Sequence, residues 1–295
     1  MFNKKNSKKN NDSLNQSRYI LANAPIQPAL KFRIEESYKA IRANIMFSVM
    51  KKGCKTIVVS SSNPSEGKTT TTVNLAISIA QADHRVLLID ADLRKPKVHH
   101  YFSVANSPGL TNYLGDSISM KKKADLFSVI HPTDYENLSI LCSGSIPPNP
   151  AELLGSELMS DFLNEISTKY DYIIIDTPPI NVVSDALPLI READGVVLVV
   201  RQNQTTHPDL QKALSSLEFI DAKLLGFVVN FVESKAGRKY SYKGYGYSNY
   251  GYGYGYGYGY GYGYGSYGNY NSKQNYGIFN SHKNTFTSDK SDPRN

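Results

Sequence analysis

One short segment, S-S-N-P-S-E-G-K-T-T at residues 61–70, carries residues suited to phosphate binding. It follows the pattern G-x-x-x-x-G-K-[ST], except that Ser62 stands at the first glycine. Such a loop turns backbone N–H groups toward a phosphate, with a helix N-terminus behind them and a lysine reaching the phosphate oxygens. The hydroxyl after that lysine is suited to Mg²⁺. The predicted nucleotide-binding residues are Ser62, Asn63, Pro64, Ser65, Glu66, Gly67, Lys68, Thr69 and Thr70.

Three aspartates follow apolar runs farther along the chain. Asp90 and Asp92 lie in L-L-I-D-A-D-L-R, and Asp176 lies in I-I-I-D-T-P-P. Carboxylates that directly follow a buried parallel strand emerge at the ligand edge of the sheet, where Mg²⁺ takes one or two of them with phosphate oxygens. Strand-end aspartates also cap helices, but two such segments after a phosphate loop favour a metal site.

The elements that position these residues alternate along the chain. Short β-branched runs predict strands at residues 55–61, 85–90, 138–144, 171–177, 195–200 and 224–232. Apolar spacing predicts helices at residues 34–50, 69–81, 151–168, 184–192 and 209–219. Strands that are apolar on both faces belong in a parallel sheet covered by helices. The predicted fold is therefore an α/β P-loop NTPase fold: a doubly wound, mostly parallel sheet with helices on both faces.

Composition divides the 295 residues into one domain and two ends. Residues 34–233 are expected to fold, because about 200 residues bury a substantial core. The basic arm at residues 1–33 and the glycine- and tyrosine-rich tail at residues 234–295 lack periodic apolar positions, and both are expected to be disordered. Much of the net charge of +7 lies outside the domain. The arm is thus interpreted as a solvated segment, and no specific nucleic-acid partner is expected.

The cysteines, the lengths of the apolar runs and the histidines limit the functions that the chain can have. The two cysteines, Cys54 and Cys142, lack metal-ligand spacing, which favours a reduced, cytoplasmic protein. No apolar run reaches the roughly 18 residues of a membrane span. The adjacent His99 and His100 have no acid or cysteine at ligand spacing, and we assign them no function.

The D-x-D-x-R motif at Asp90, joined to a phosphate loop and to strand-D-T-P-P at Asp176, resembles the bacterial tyrosine kinases of capsule and exopolysaccharide synthesis. The resemblance covers about residues 35–232 and extends to P-P-N-P-A-E-L-L at residues 147–154. It implies ATP and Mg²⁺: Lys68 contacts the phosphates, and Thr69 and Asp90 hold the metal with Asp176 close by. Asp92 is then the candidate to accept the proton of an incoming tyrosine.

The tyrosines at the end of the chain extend this resemblance. Fifteen of the 22 tyrosines lie between residues 240 and 276. As a flexible coil, these 37 residues would span roughly 33 Å, enough to reach the site of a neighbouring subunit. The expected autophosphorylation sites are Tyr240, Tyr242, Tyr245, Tyr247, Tyr250, Tyr252, Tyr254, Tyr256, Tyr258, Tyr260, Tyr262, Tyr264, Tyr267, Tyr270 and Tyr276. The alternative is an aromatic tail that serves only for weak association.

The resemblance also implies partners. The family joins subunits into a ring through E-x-x-R-x-x-R, and Glu36, Lys39 and Arg42 stand at those positions. Lysine lacks the planar fork of arginine, so we expect a homo-oligomer of uncertain strength. The family further implies a membrane activator with a stimulating cytosolic segment, an opposing tyrosine phosphatase and other protein substrates. Through that activator, the chain is expected at the inner face of the cell membrane.

Several alternatives stay open. Arg94 either neutralises phosphate charge or pairs with a neighbouring acid, and Asn230 either meets the adenine edge or caps a helix. One rival function is a partition or septum-positioning ATPase, although such proteins carry a lysine where Asn63 stands. The other is a nucleotide-binding regulatory subunit without kinase activity.

Overall fold

The computed structural model describes residues 27–120 and 126–232, and they form a helix-covered sheet. The strands are β1 Lys55–Ser61, β2 Val86–Asp90, β3 Ile130–Pro132, β4 Leu138–Leu141, β5 Tyr172–Asp176, β6 Gly195–Arg201 and β7 Leu224–Asn230. The helices are α1 Pro28–Ser48, α2 Lys68–Ala80, α3 Val98–Phe102, α4 Leu110–Met120, α5 Pro150–Leu154, α6 Glu157–Ile166, α7 Leu187–Glu192 and α8 His207–Phe219, with a 3-10 turn at Leu126–Ser128.

The sheet has the strand order β3-β4-β2-β5-β1-β6-β7. All neighbouring pairs are parallel except β3 and β4, which are antiparallel. Every residue of β2 and β5 is buried, because helices cover both faces of these central strands. One apolar cluster packs under α4, α6 and α8, and the other packs under α1 and α2. The predicted doubly wound, mostly parallel sheet is confirmed.

The largest differences from the predicted helices concern two of them. The first helix begins at Pro28 rather than at residue 34, so six residues assigned to the disordered arm are helical. Proline is well tolerated in the first turn of a helix, because its missing N–H would have no intrahelical partner there. The single helix predicted at 151–168 is two helices, separated at Gly155 and Ser156. The Ser156 hydroxyl accepts the Met159 N–H and thus begins a new helix.

Three elements were not predicted, namely α3, α4 and the short strand β3. α3 and β3 span only five and three residues, which is too short for a clear periodic apolar signal. Within residues 27–120 and 126–232, no helix has the length and apolar content to cross a membrane. Residues 121–125 lie outside the described residues, as do residues 1–26 and the tail from residue 233.

Candidate functional site

The phosphate loop lies between β1 and α2, at the carboxyl edge of the sheet. β1 is flanked by β5 and β6, so the loop sits near the middle of that edge. Ser65 and Gly67 have positive φ values of 66° and 92°, which turn the backbone inward. Gly67 is the N-cap of α2 and supplies no side-chain cap. The first N–H groups of α2 therefore face the loop, as they do at anion-binding helix ends.

Lys68 brings two of the predicted aspartates together. Its Nζ lies 2.9 Å from Asp92 Oδ2 and 3.4 Å from Asp176 Oδ2. All three side chains are buried. Burial lowers the pKa of Lys68, but Asp176 and Asp92 outweigh that effect and raise it overall. The ammonium group thus stays charged and offsets the charge of the carboxylates around it.

Asp176 is held by hydroxyl groups of α2. Thr69 Oγ1 donates to its Oδ2 at 2.7 Å, and Thr72 Oγ1 donates to its Oδ1 at 3.0 Å. Burial raises the pKa of Asp176, although Lys68 and the hydroxyl donors oppose the rise. Thr72 was not among the predicted site residues, because a threonine inside a helix carries no sequence signal of its own.

Asp90 lies beside Asp176 in the parallel register of β2 and β5. Its Oδ2 accepts the N–H groups of Lys97 and Val98, both at 2.9 Å, at the start of α3. Burial raises the pKa of Asp90 to about 7, and the neighbouring Asp176 adds to the rise. Asp90 therefore accepts N–H groups at the start of a helix, which is the capping role considered above for strand-end aspartates. It also lies next to Asp176, among the buried carboxylates of the site.

The residues present fit Mg²⁺ held jointly with a nucleotide. Within residues 27–120 and 126–232, no three His, Cys, Asp or Glu side chains gather into a metal cage. Mg²⁺ commonly binds through one or two carboxylates plus substrate phosphates, and Asp176 with the Thr69 hydroxyl offers such hard oxygen donors. The buried Ser62 Oγ, which has no protein partner among the described residues, is one more polar group in the loop available to a phosphate.

Arg94 pairs with an acid that sequence reasoning missed. Its Nε lies 2.5 Å from Asp185 Oδ2, and its Nη2 lies 3.1 Å from Asp185 Oδ1. Asp185 is buried, whereas the arginine side chain is 48% exposed. Of the two alternatives for Arg94, the structure shows the ion pair. Asp185 lies nine residues after Asp176 in an irregular segment, so no motif pointed to it.

Asn230 lies at the phosphate loop itself. Its Nδ2 donates to the Glu66 carbonyl and to the Thr71 hydroxyl, both at 3.0 Å. A Cβ on Gly67 would lie 2.5 Å from this nitrogen, so glycine is needed for the close contact as well as for its φ. A second unpredicted contact joins Thr70 Oγ1 to the Tyr101 hydroxyl at 2.6 Å.

The charged residues of α1 differ in exposure: Glu36 and Lys39 are exposed, and Arg42 is half-buried against α2. Lys39 Nζ forms an exposed ion pair with Glu36 at 2.7 Å. Arg42 instead donates to the Ser78 carbonyl of α2 within the same chain. The three residues therefore share one helix but not one exposed surface. The tyrosines from Tyr240 to Tyr276 lie outside the described residues.

Comparisons with known proteins agree with this geometry. The AAA domain family matches residues 54–225. The chain is 42% identical to tyrosine-protein kinase YwqD of Bacillus subtilis over 71% of this chain and 86% of that one. It is 38% identical to tyrosine-protein kinase CpsD of Streptococcus agalactiae over 72% and 90% of the two chains. The solved kinase domain of Escherichia coli tyrosine kinase ETK is 34% identical with a TM-score of 0.64, covering 72% of this chain and 80% of that chain.

These relatives span the α/β core that holds the phosphate loop and the aspartates, and they share its architecture. They exclude a partition or septum-positioning ATPase, which was one of the alternatives that the sequence left open. The chain belongs to the bacterial tyrosine-protein kinase family and carries that family's P-loop kinase domain.

Proposed function

We propose that this kinase transfers the γ-phosphoryl group of ATP to tyrosine hydroxyls, chiefly those between Tyr240 and Tyr276 in a neighbouring copy of the chain. The observation that carries the proposal is the convergence of Lys68, Asp92, Asp176 and Thr69 at the carboxyl ends of β1, β2 and β5. Phosphoryl transfer asks a protein mainly for charge neutralisation and positioning, and these four side chains supply both.

Each residue has a defined part in the transfer. The phosphate loop and α2 bind the phosphates, and Lys68 neutralises their charge by leaving its carboxylate partners. Thr69, Asp90 and Asp176 would hold Mg²⁺, which supplies further charge neutralisation when bound. Asp92, freed from Lys68, accepts the proton of the tyrosine hydroxyl. The phenolic oxygen then bonds to the γ-phosphorus while the bond to the β,γ-bridging oxygen breaks, and ADP leaves.

The biological setting is proposed from the family. The relatives named as tyrosine-protein kinases support a role in controlling capsular or exopolysaccharide synthesis. A membrane activator, assembly into a homo-oligomer such as a ring, an opposing phosphatase and other protein substrates complete the proposal. We place the protein at the inner face of the membrane through that activator, and the exposed Glu36 and Lys39 offer α1 as part of the subunit contact.

The test is incubation of the full chain with ATP and Mg²⁺, with and without a candidate activator segment, followed by intact mass. Lys68→Ala and Asp92→Asn are compared with Lys51→Ala, whose lysine pairs with Asp194 on the surface. We expect added phosphates in the wild type and in Lys51→Ala, and none in the two site variants. ATP hydrolysis with unmodified tyrosines in every arm would instead favour a nucleotide-switch ATPase whose tail serves for association. Nucleotide binding with neither hydrolysis nor transfer would favour a regulatory subunit.

A further inference from the structure

The phosphate loop is bonded to one turn of the chain, residues 201–209, which runs from the last residue of β6 into the first turn of α8. The Arg201 guanidinium donates to the Ser65 carbonyl at 3.1 Å. The Thr205 hydroxyl donates to a carboxylate oxygen of Glu66. Hydrogen bonds from Thr206 and from the Asn63 side chain hold the pKa of Asp209 below its ordinary value. Three loop residues are therefore tied to this turn through separate contacts.

Glu66 is unusual among these three loop residues because it is a buried acid in a phosphate loop. Its side chain is buried, and it stands two residues before Lys68 in a loop built for a polyanion. A buried carboxylate is costly unless donors satisfy it. One oxygen of Glu66 accepts the Asn63 N–H at 2.9 Å, and the other accepts the Thr205 hydroxyl. The carboxylate thus bridges the two ends of the loop and is held there by the turn.

The Thr205 hydroxyl both donates and accepts a hydrogen bond in this arrangement. While it donates to Glu66, its oxygen accepts the Arg201 N–H at 2.8 Å. It therefore fixes the carboxylate relative to the end of β6, a strand of the rigid sheet. The loop has Ser62 where the usual pattern has its first glycine, so its shape depends on such side-chain contacts.

We propose that Thr205 is a positioning residue for the nucleotide phosphates, acting through Glu66. With the hydroxyl present, Glu66 holds the Asn63 N–H and keeps the loop in the curvature that binds phosphate. Without it, the carboxylate has no donor from the turn and either draws in water or moves toward the phosphates, which it repels. The proposal rests on ATP being the substrate, and it predicts a defect in nucleotide binding rather than in the chemical step.

The chain offers a matched pair of threonines for the test. Thr205→Val removes the hydroxyl with little change in shape, and Thr205→Ser restores it. Thr133→Val is the control, because the Thr133 hydroxyl donates to the Leu138 carbonyl at 2.9 Å next to β3, at the opposite edge of the sheet from β6 and the phosphate loop. For each full-length variant, KM for ATP and kcat for tyrosine phosphorylation are measured, together with the dissociation constant of ADP and the urea midpoint.

We expect Thr205→Val to raise KM and the ADP dissociation constant at least about tenfold, the scale for losing a hydrogen bond to a charged group. Its kcat should stay within about twofold of wild type, and Thr205→Ser should recover most of the affinity. Thr133→Val should lower the urea midpoint with little change in KM. If the valine variant does not fold, Thr205→Ala removes the same hydroxyl with less bulk.

Two results would overturn the proposal on its own: ADP affinity in Thr205→Val equal to wild type, or an equal loss in Thr133→Val. A wild-type chain that binds ADP but phosphorylates no tyrosine would contradict the proposed function while leaving the role of Thr205 in nucleotide binding intact. Failure of the wild type to bind ATP or ADP would overturn both.

Discussion

Replacement of Lys68 tests the electrostatics of the site against an internal standard. Lys68 Nζ lies 2.9 Å from Asp92, and the lysine side chain is 11% exposed. Lys51 Nζ lies 2.8 Å from Asp194, but its side chain is 54% exposed. The two pairs have nearly the same length and differ in burial. Lys68→Met and Lys51→Met therefore compare a buried lysine that faces two carboxylates with an exposed lysine that faces one.

The expected change in the free energy of unfolding follows from the carboxylates that each lysine leaves unpaired. Removing one partner of a buried ion pair costs about 3–5 kcal/mol, because an uncompensated charge stays buried. An exposed pair contributes about 0–1 kcal/mol. We therefore expect Lys68→Met to lower the free energy of unfolding by about 3–5 kcal/mol at pH 8 and Lys51→Met by less than about 1 kcal/mol.

The loss of unfolding free energy in Lys68→Met should depend on pH. Burial already raises the pKa of Asp176, and loss of the ammonium raises it further. The folded state then binds more protons than the unfolded state, so stability falls as pH rises. Protonating one aspartate at pH 5, about 1.1 pH units above its unfolded pKa of about 3.9, costs about 1.5 kcal/mol. The destabilisation should thus shrink to roughly that value at pH 5.

The assay is urea unfolding of the nucleotide-free chain, followed by far-ultraviolet circular dichroism at pH 5 and pH 8. Added Mg²⁺ should stabilise Lys68→Met more than the wild type, because a cation replaces the missing charge. Equal destabilisation at both pH values, or a cost in Lys51→Met matching that in Lys68→Met, would refute the reasoning.

Three further predictions address other parts of the site. Since burial raises the pKa of Asp90 to about 7 and a metal ligand must be deprotonated, Mg²⁺ affinity measured by calorimetry with ADP should fall from pH 8 to pH 6; constant affinity would remove Asp90 from the metal site. Gly67→Ala should lower the unfolding free energy more than Gly53→Ala: both have positive φ, but only the first Cβ meets a side-chain nitrogen, at 2.5 Å. Arg94→Ala should lower the urea midpoint more than Lys51→Ala by leaving buried Asp185 unpaired, and an equal effect of the two changes would show that water reaches that carboxylate.

Sequence patterns were most informative where a residue's role depends on its neighbours in the chain. The phosphate loop, the aspartates after β2 and β5, and the parallel sheet could be predicted, because a strand, a tight turn and a helix start are local events. Helix ends were less predictable. The break at Gly155 and the start at Pro28 depend on capping and packing, which the apolar period does not encode.

Side-chain partners across the sheet could not be predicted. Arg94 meets Asp185, and the phosphate loop meets Thr205 and Asn230, through contacts that span roughly 90 to 160 residues of chain. No periodicity links such positions, since their proximity arises only when the strand order places β5 beside β2, β6 beside β1 and β7 beside β6.

The sequence alone thus determined the fold class, the nucleotide chemistry and the family, because each depends on short motifs with strong local geometry. The tertiary structure decided which charges are paired, which carboxylate is buried beside another and what fastens the phosphate loop. These depend on burial, and burial is a property of the packed sheet rather than of any segment.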